Sequence, residues 1–159
     1  MKKNIIFVAI LGLIFAFNGF EMSKNAVIAA PAKTQAKTNA IKPINTTSLN
    51  IVANPNKYLN KTVKIQATFD KFSALGLDYS KALRKSSDYI GILIQRDDVQ
   101  DHVIPLSEMK MFMKKDMAEK YIDLDTGDKV EIIAKVFSTA LNDPWLDIEK
   151  LTVIQKTKK

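Results

Sequence analysis

Few residues in this chain have the types and spacing that chemistry requires. Ser107 and Lys110 stand in an S-x-x-K arrangement, in which a lysine one helical turn away can activate a serine nucleophile. That chemistry also needs a Ser-Asp-Asn element and a Lys-Thr-Gly strand, and the chain has neither. Ser107 reads instead as the cap of a helix carrying Glu108 in its first turn, with Lys110 solvated. Asp123, Asp125 and Asp128 resemble the start of a calcium loop, but an EF-hand register from Asp123 meets Gly127, Asp128 and Ala134 where Asp or Asn, Gly and Glu belong. Asp97, Asp98 and Asp101 have no better spacing. His102 is the only histidine and there is no cysteine, which leaves a transition metal without its usual ligands. No glycine-rich phosphate loop and no Ser/His/Asp set can be assembled. The expectation is a protein without catalytic residues, metal or cofactor.

Binding chemistry is better represented. Tyr79, Tyr89, Phe137 and Trp145 are aromatic residues on or beside expected strands, and Arg96 follows one of them. These five are the candidate ligand-binding residues. Exposed aromatics on a sheet with cations nearby, here Lys64 and Lys135, would suit stacking on single-stranded nucleic acid. Aromatics in a small domain also close the core, and that reading stands beside the first.

The elements that would position them emerge from periodicity. Thr46 to Asn50 offers helix caps, and Asn54-Pro55 ends a single turn over residues 49–53. Tyr58, Leu59 and the Asn60-Lys61 turn lead into a strand from Thr62, where Val63, Ile65, Ala67 and Phe69 alternate with polar residues. Residues 73–88 form a long connection with apolar residues of its own and room for a short helix at 78–84. Residues 89–95 make a second strand with Ile90, Ile92 and Ile94 inward, and Gly91 suits a bend or bulge. A third strand is expected at residues 102–106. A helix should follow from Ser107, its apolar face built by Met109, Phe112, Met113, Met117 and Tyr121. Gly127 turns the chain into a fourth strand at 129–138. A fifth runs over 144–154, with a bulge near Glu149-Lys150 because Leu146 and Ile148 fall out of phase with Leu151 and Val153.

Three strands, a helix and two strands is the order of an OB-fold, a mainly β five-stranded barrel with its helix between strands three and four. The runs NPNKYLNKTVKIQATF, GDKVEIIAKVFS and DPWLDIEKLTVI resemble small exported bacterial OB-fold proteins near the tRNA-anticodon-binding-like OB family. The resemblance spans residues 46–154 and rests on turns and core positions, so it implies architecture and no activity.

Ahead of the barrel, Lys2 and Lys3 precede an uncharged run over residues 5–17, the pattern of an export signal. A span of bilayer takes roughly 20 apolar residues, so the run is short for a permanent anchor. Cleavage after Ala29 or Ala32 would release the chain into the periplasm or the medium, and retention as a tether is the other outcome. The expected organisation is a signal at 1–29, a linker at 30–45, the barrel at 46–154 and a basic tail at 155–159. The formal charge of +7 falls mainly outside the barrel, since residues 46–154 hold 15 basic and 16 acidic residues, net −1. A near-neutral domain argues against a general polyanion binder. The functional expectation is an exported, non-enzymatic OB-fold module binding a peptide, protein, glycan or small molecule across the 73–88 and 139–143 loops. The alternative is a single-stranded nucleic-acid-binding OB-fold protein.

Overall fold

The computed structural model describes residues 42–158; the expected signal and most of the linker lie outside them. Alternating apolar residues make a strand amphipathic, and a sheet with one apolar face must close or be covered. Here it closes. A short β1 (Ile44–Asn45) runs parallel to the long β2 (Thr62–Ser73), and β3 (Tyr89–Ile94), β4 (Lys110–Lys114), β5 (Lys129–Ser138) and β6 (Trp145–Gln155) complete the sheet. The order β2-β3-β4-β6-β5 returns to β2 through its pairing with β5, and β4 meets β6 in parallel. This is a closed five-stranded OB barrel formed by β2 to β6, and the class is set by that closure.

Val63, Ile65, Ala67 and Phe69 of β2 are buried, as are Val130, Ile132, Ala134 and Val136 of β5, and together they fill the barrel. Ahead of β2, α1 (Ser48–Ala53) is capped by the Thr47 hydroxyl, which accepts from Asn50 N at 3.2 Å. Pro55 opens the four-residue α2 (Pro55–Tyr58), and α1 and α2 add Ile51 and Tyr58 to the core. Asn60 turns the chain at φ 62°, a left-handed conformation that asparagine tolerates. β5 coincides with its expected span, and in β6 the register slips where Ile133 faces Lys150 and Ala134 faces Ile148, leaving Glu149 as the bulge.

The third strand lies elsewhere than the sequence suggests. Residues 102–106 supply only an isolated bridge, Gln95 to Pro105, and the third barrel strand is β4. The helix between the third and fourth barrel strands is correspondingly short: α3 (Lys115–Ala118), then one 3-10 turn at Glu119–Tyr121. Met109, Met111 and Met113 alternate into the core, which is strand spacing. Phe112, between Lys110 and Lys114 on the opposite face, is also buried, so residues 111–113 read as one apolar run and the period of two is hidden. Residues 78–84 form successive turns rather than a helix, with Gly76 at φ 82° and Asp78 at φ 61°.

Gly91 is required by a close approach rather than by a bulge of its own strand. A Cβ there would lie 2.8 Å from the Ser73 carbonyl oxygen of β2, and the register slip in this pair lies on β2, between Phe69 and Lys71. Strand pairing begins at Ile44, ahead of the expected barrel edge at residue 46, and the far end is tied down past residue 154. Asp128 accepts from Lys156 Nζ at 2.8 Å and from Thr157 N at 2.8 Å.

Candidate functional site

The outer face of β3, β4 and β6 is flanked by the 74–88 loop and the 139–144 loop. In-register pairing places Lys110 beside Trp145, Phe112 beside Asp147, and Asp147 beside Lys135. The upper part of this face is covered by the chain's own loop. Phe112, Trp145 and Ala82 form a second buried cluster, with Leu77, Tyr79, Tyr89, Phe137 and Ala140 packed around it. Tyr79 stacks on Trp145 with centroids 5.3 Å apart, and Trp145 lies 5.8 Å from Phe112. Trp145 is 1% exposed, and its indole N–H donates to the Ala140 carbonyl at 2.7 Å. Gly76 crosses the indole so closely that a Cβ would come within 3.0 Å of it.

Arg84 fastens this cover. Its Nε donates to Asp147 Oδ1 at 2.7 Å and its Nη2 to Oδ2 at 2.5 Å, a bidentate pair. The guanidinium also lies 3.9 Å from the centre of the Phe137 ring and 5.5 Å from that of Tyr89. The hydrogen bonds to Asp147 hold Arg84 more firmly protonated than a free guanidinium. Asp78 braces the loop from within, donating its N–H to the Arg84 carbonyl and accepting from Ser86 N through Oδ1, which lowers its carboxyl pKa.

Beside this cover is an open cleft of about 340 Å³, lined by Tyr89, Phe112, Lys114, Met117, Lys135, Asp147, Ile148 and Glu149. Tyr89 contributes an aromatic wall, Lys114 and Lys135 cations, and Asp147 and Glu149 carboxylates. Of the five candidate residues, Tyr79, Tyr89, Phe137 and Trp145 gather on this face. Trp145 and Tyr79 are engaged in packing it, while Tyr89 also borders the cleft. Arg96 belongs to another cluster: it donates to both Asp98 oxygens at 3.0 and 3.2 Å and to Glu108 Oε1 at 2.5 Å. These bonds raise its pKa, Asp98 contributing most. Lys64 pairs with Glu131 at 2.7 Å.

Several residues that shape the face escape sequence reasoning. Arg84 was signalled only as the one arginine among the lysines of a long loop, and Asp147 by its outward phase on β6. Phe112 and Lys114 were hidden by the helical reading of their segment. Lys110 is not solvated: it donates to the Ser107 carbonyl and, at 2.7 Å, to Asp143 Oδ2, which ties the 139–144 loop to β4. In the Asp123 to Asp128 turn the Asp128 carboxylate is paired with an ammonium. Lys156 donates to Asp128 Oδ2 and to the Asp123 carbonyl, and with Thr157 N it depresses the Asp128 pKa to about 2. His102 is exposed.

No protein-family model matches the chain, and no curated protein matches it either. Solved structures that resemble it include one described as an aspartyl-tRNA synthetase from Leishmania major Friedlin, at 15% identity and a TM-score of 0.47, covering 81% of this chain and 24% of that one. Asparaginyl-tRNA synthetase from Pyrococcus horikoshii gives 16% identity and a TM-score of 0.45, with 74% and 24% covered. The same enzyme complexed with asparaginyl-adenylate gives 17% and 0.40, with 64% and 20% covered. The chain thus spans about a quarter or less of these proteins. At such identities and TM-scores no activity is carried over from them, and the OB-fold assignment stands on the strand order and barrel closure.

Proposed function

We propose that this chain is a non-catalytic OB-fold binding module whose ligand lies in the cleft between Tyr89, Lys114, Lys135 and Glu149. The observation that carries this reading is the cover fastened by Arg84. It fills the upper part of the face between the two loops and leaves the cleft beside it open. OB-folds recognise ligands across this face and these loops. The aromatic wall with charges of both signs suits a peptide or another ligand of mixed polarity, consistent with the near-neutral barrel.

Single-stranded nucleic acid is the second reading. Tyr89 offers a ring for stacking, and the exposed Lys114 and Lys135 offer cations for phosphate. One titration separates the two. Fluorescently labelled single-stranded oligonucleotides and a mixed-charge peptide library are titrated against the full chain and against a Lys114→Glu, Lys135→Glu variant. Oligonucleotide binding that weakens steeply with salt and is lost in the variant supports nucleic acid. Peptide binding lost on Tyr89→Ala supports the first reading, and binding unaffected by any of these changes places the site elsewhere. Export is also part of the proposal, supported by Lys2, Lys3 and the uncharged run that follows. N-terminal sequencing of the chain from an extracytoplasmic fraction tests it, and an intact Met1 in a cytoplasmic fraction contradicts it.

A further inference from the structure

We propose that a groove beside α3 is a dimerisation surface whose occupant is a second copy of this chain. Phe72 of β2, Ile90 of β3, and Lys115, Ala118, Glu119 and Ile122 of the helical segment line one open groove of about 350 Å³. Phe72 and Ile90 are half-buried against the barrel core, and Ala118 is buried in it. Ile122 is 74% exposed, more than any other large apolar side chain among the described residues. An aliphatic knob therefore stands beside an apolar hole on a single patch. The groove shares no lining residue with the Tyr89 cleft, so the dimer does not depend on what fills that cleft.

The charges on the groove favour a second copy over other partners. Lys115 and Glu119 are exposed one helical turn apart, and neither side chain has an ion pair or hydrogen bond among the described residues. A partner for this patch must offer an anion, a cation and an apolar side chain within the same small area, and the patch itself offers all three. In a two-fold contact, residue i meets residue j of the partner while j meets i. Lys115 of each copy then faces Glu119 of the other, and each Ile122 enters the other copy's groove. Residues 114–123 hold three lysines and three carboxylates, so two copies meet on this element without net repulsion although the whole chain carries +7. Six lining residues make a smaller contact than the roughly 20–30 residues a side of a standard interface, so the dimer is weak, with a Kd on the order of 10–100 μM.

Sedimentation velocity of the full chain over a concentration series reaching about 1 mM should show a monomer–dimer equilibrium. Ile122→Glu, verified as folded by circular dichroism, should raise the dissociation constant about tenfold or more. Lys115→Glu alone sets Glu against Glu across the two-fold axis, and Glu119→Lys alone sets Lys against Lys. Each of these should weaken self-association by about fivefold or more. Mixed in equal amounts, the two variants should form a one-to-one heterodimer about as tight as the wild-type dimer, since every pair across the axis is then of opposite sign. A charge pair within one copy could not be restored by mixing. A wild type that stays monomeric, whether its groove is then empty or filled by something else, overturns the proposal. So does association that survives Ile122→Glu, or a mixture that associates no better than its two components.

Discussion

The Arg84 to Asp147 pair joins the long loop to β6, and a double-mutant cycle measures what that junction contributes. Both side chains are mostly shielded, at 23% and 29% exposure, and they share two short charge-assisted bonds across 63 residues of chain. An exposed ion pair contributes about 0.2–1 kcal/mol, whereas breaking a fully buried one costs about 3–5 kcal/mol. This geometry lies between, so Asp147→Ala should destabilise by about 1–2 kcal/mol. Arg84→Ala should cost about 0.5–1 kcal/mol more, because it also removes the guanidinium from the Phe137 face at 3.9 Å. The coupling energy should be about 1 kcal/mol, read from urea unfolding of wild type, both single variants and the double variant. Arg84→Lys should not rescue, since an ammonium reproduces neither the bidentate bond nor the stack. Additive single variants, with coupling under about 0.3 kcal/mol, or full rescue by lysine would refute this view of the cover.

The remaining predictions concern the packing beneath the loop and the closing of the barrel. Trp145→Ala should destabilise by about 3–5 kcal/mol and Trp145→Phe by clearly less, measured by urea denaturation followed by circular dichroism. Gly91→Ala should cost about 1–3 kcal/mol, because its methyl would press on the Ser73 backbone oxygen, which no side-chain rotation can move. Asp128 is more acidic folded than unfolded, with a folded pKa of about 2, so its stabilisation is complete above the unfolded pKa and lost as pH falls through the folded one. Acid titration of wild type should therefore show stability falling between about pH 4 and pH 2. Asp128→Asn should weaken the protein at neutral pH and flatten that fall.

The architecture was legible where one face of an element meets water. β5 alternates cleanly and its span can be read directly, and the Glu149 bulge follows from the phase change between Ile148 and Leu151. β4 was illegible for the opposite reason. Its inner methionines and outer Phe112 are all buried, and apolar residues on both faces admit a helical reading as easily as a strand. The candidate site was legible by type more than by role. Four of its aromatics do share one face, but no local pattern in a long loop shows that Tyr79 will stack on Trp145 or that Arg84 will reach Asp147, 63 residues away. Arg96 is held by Asp98, two residues on, and by Glu108, which sits beyond a loop in a segment that reads as helix.

The single tryptophan reports most directly on whether the loop covers the face. Acrylamide quenching of Trp145 in the native full-length chain should be weak, with blue-shifted emission, and should rise in Arg84→Ala while the far-ultraviolet circular dichroism is retained. Red-shifted emission in the wild type, quenched as readily as free indole, would contradict a face closed by its own loop.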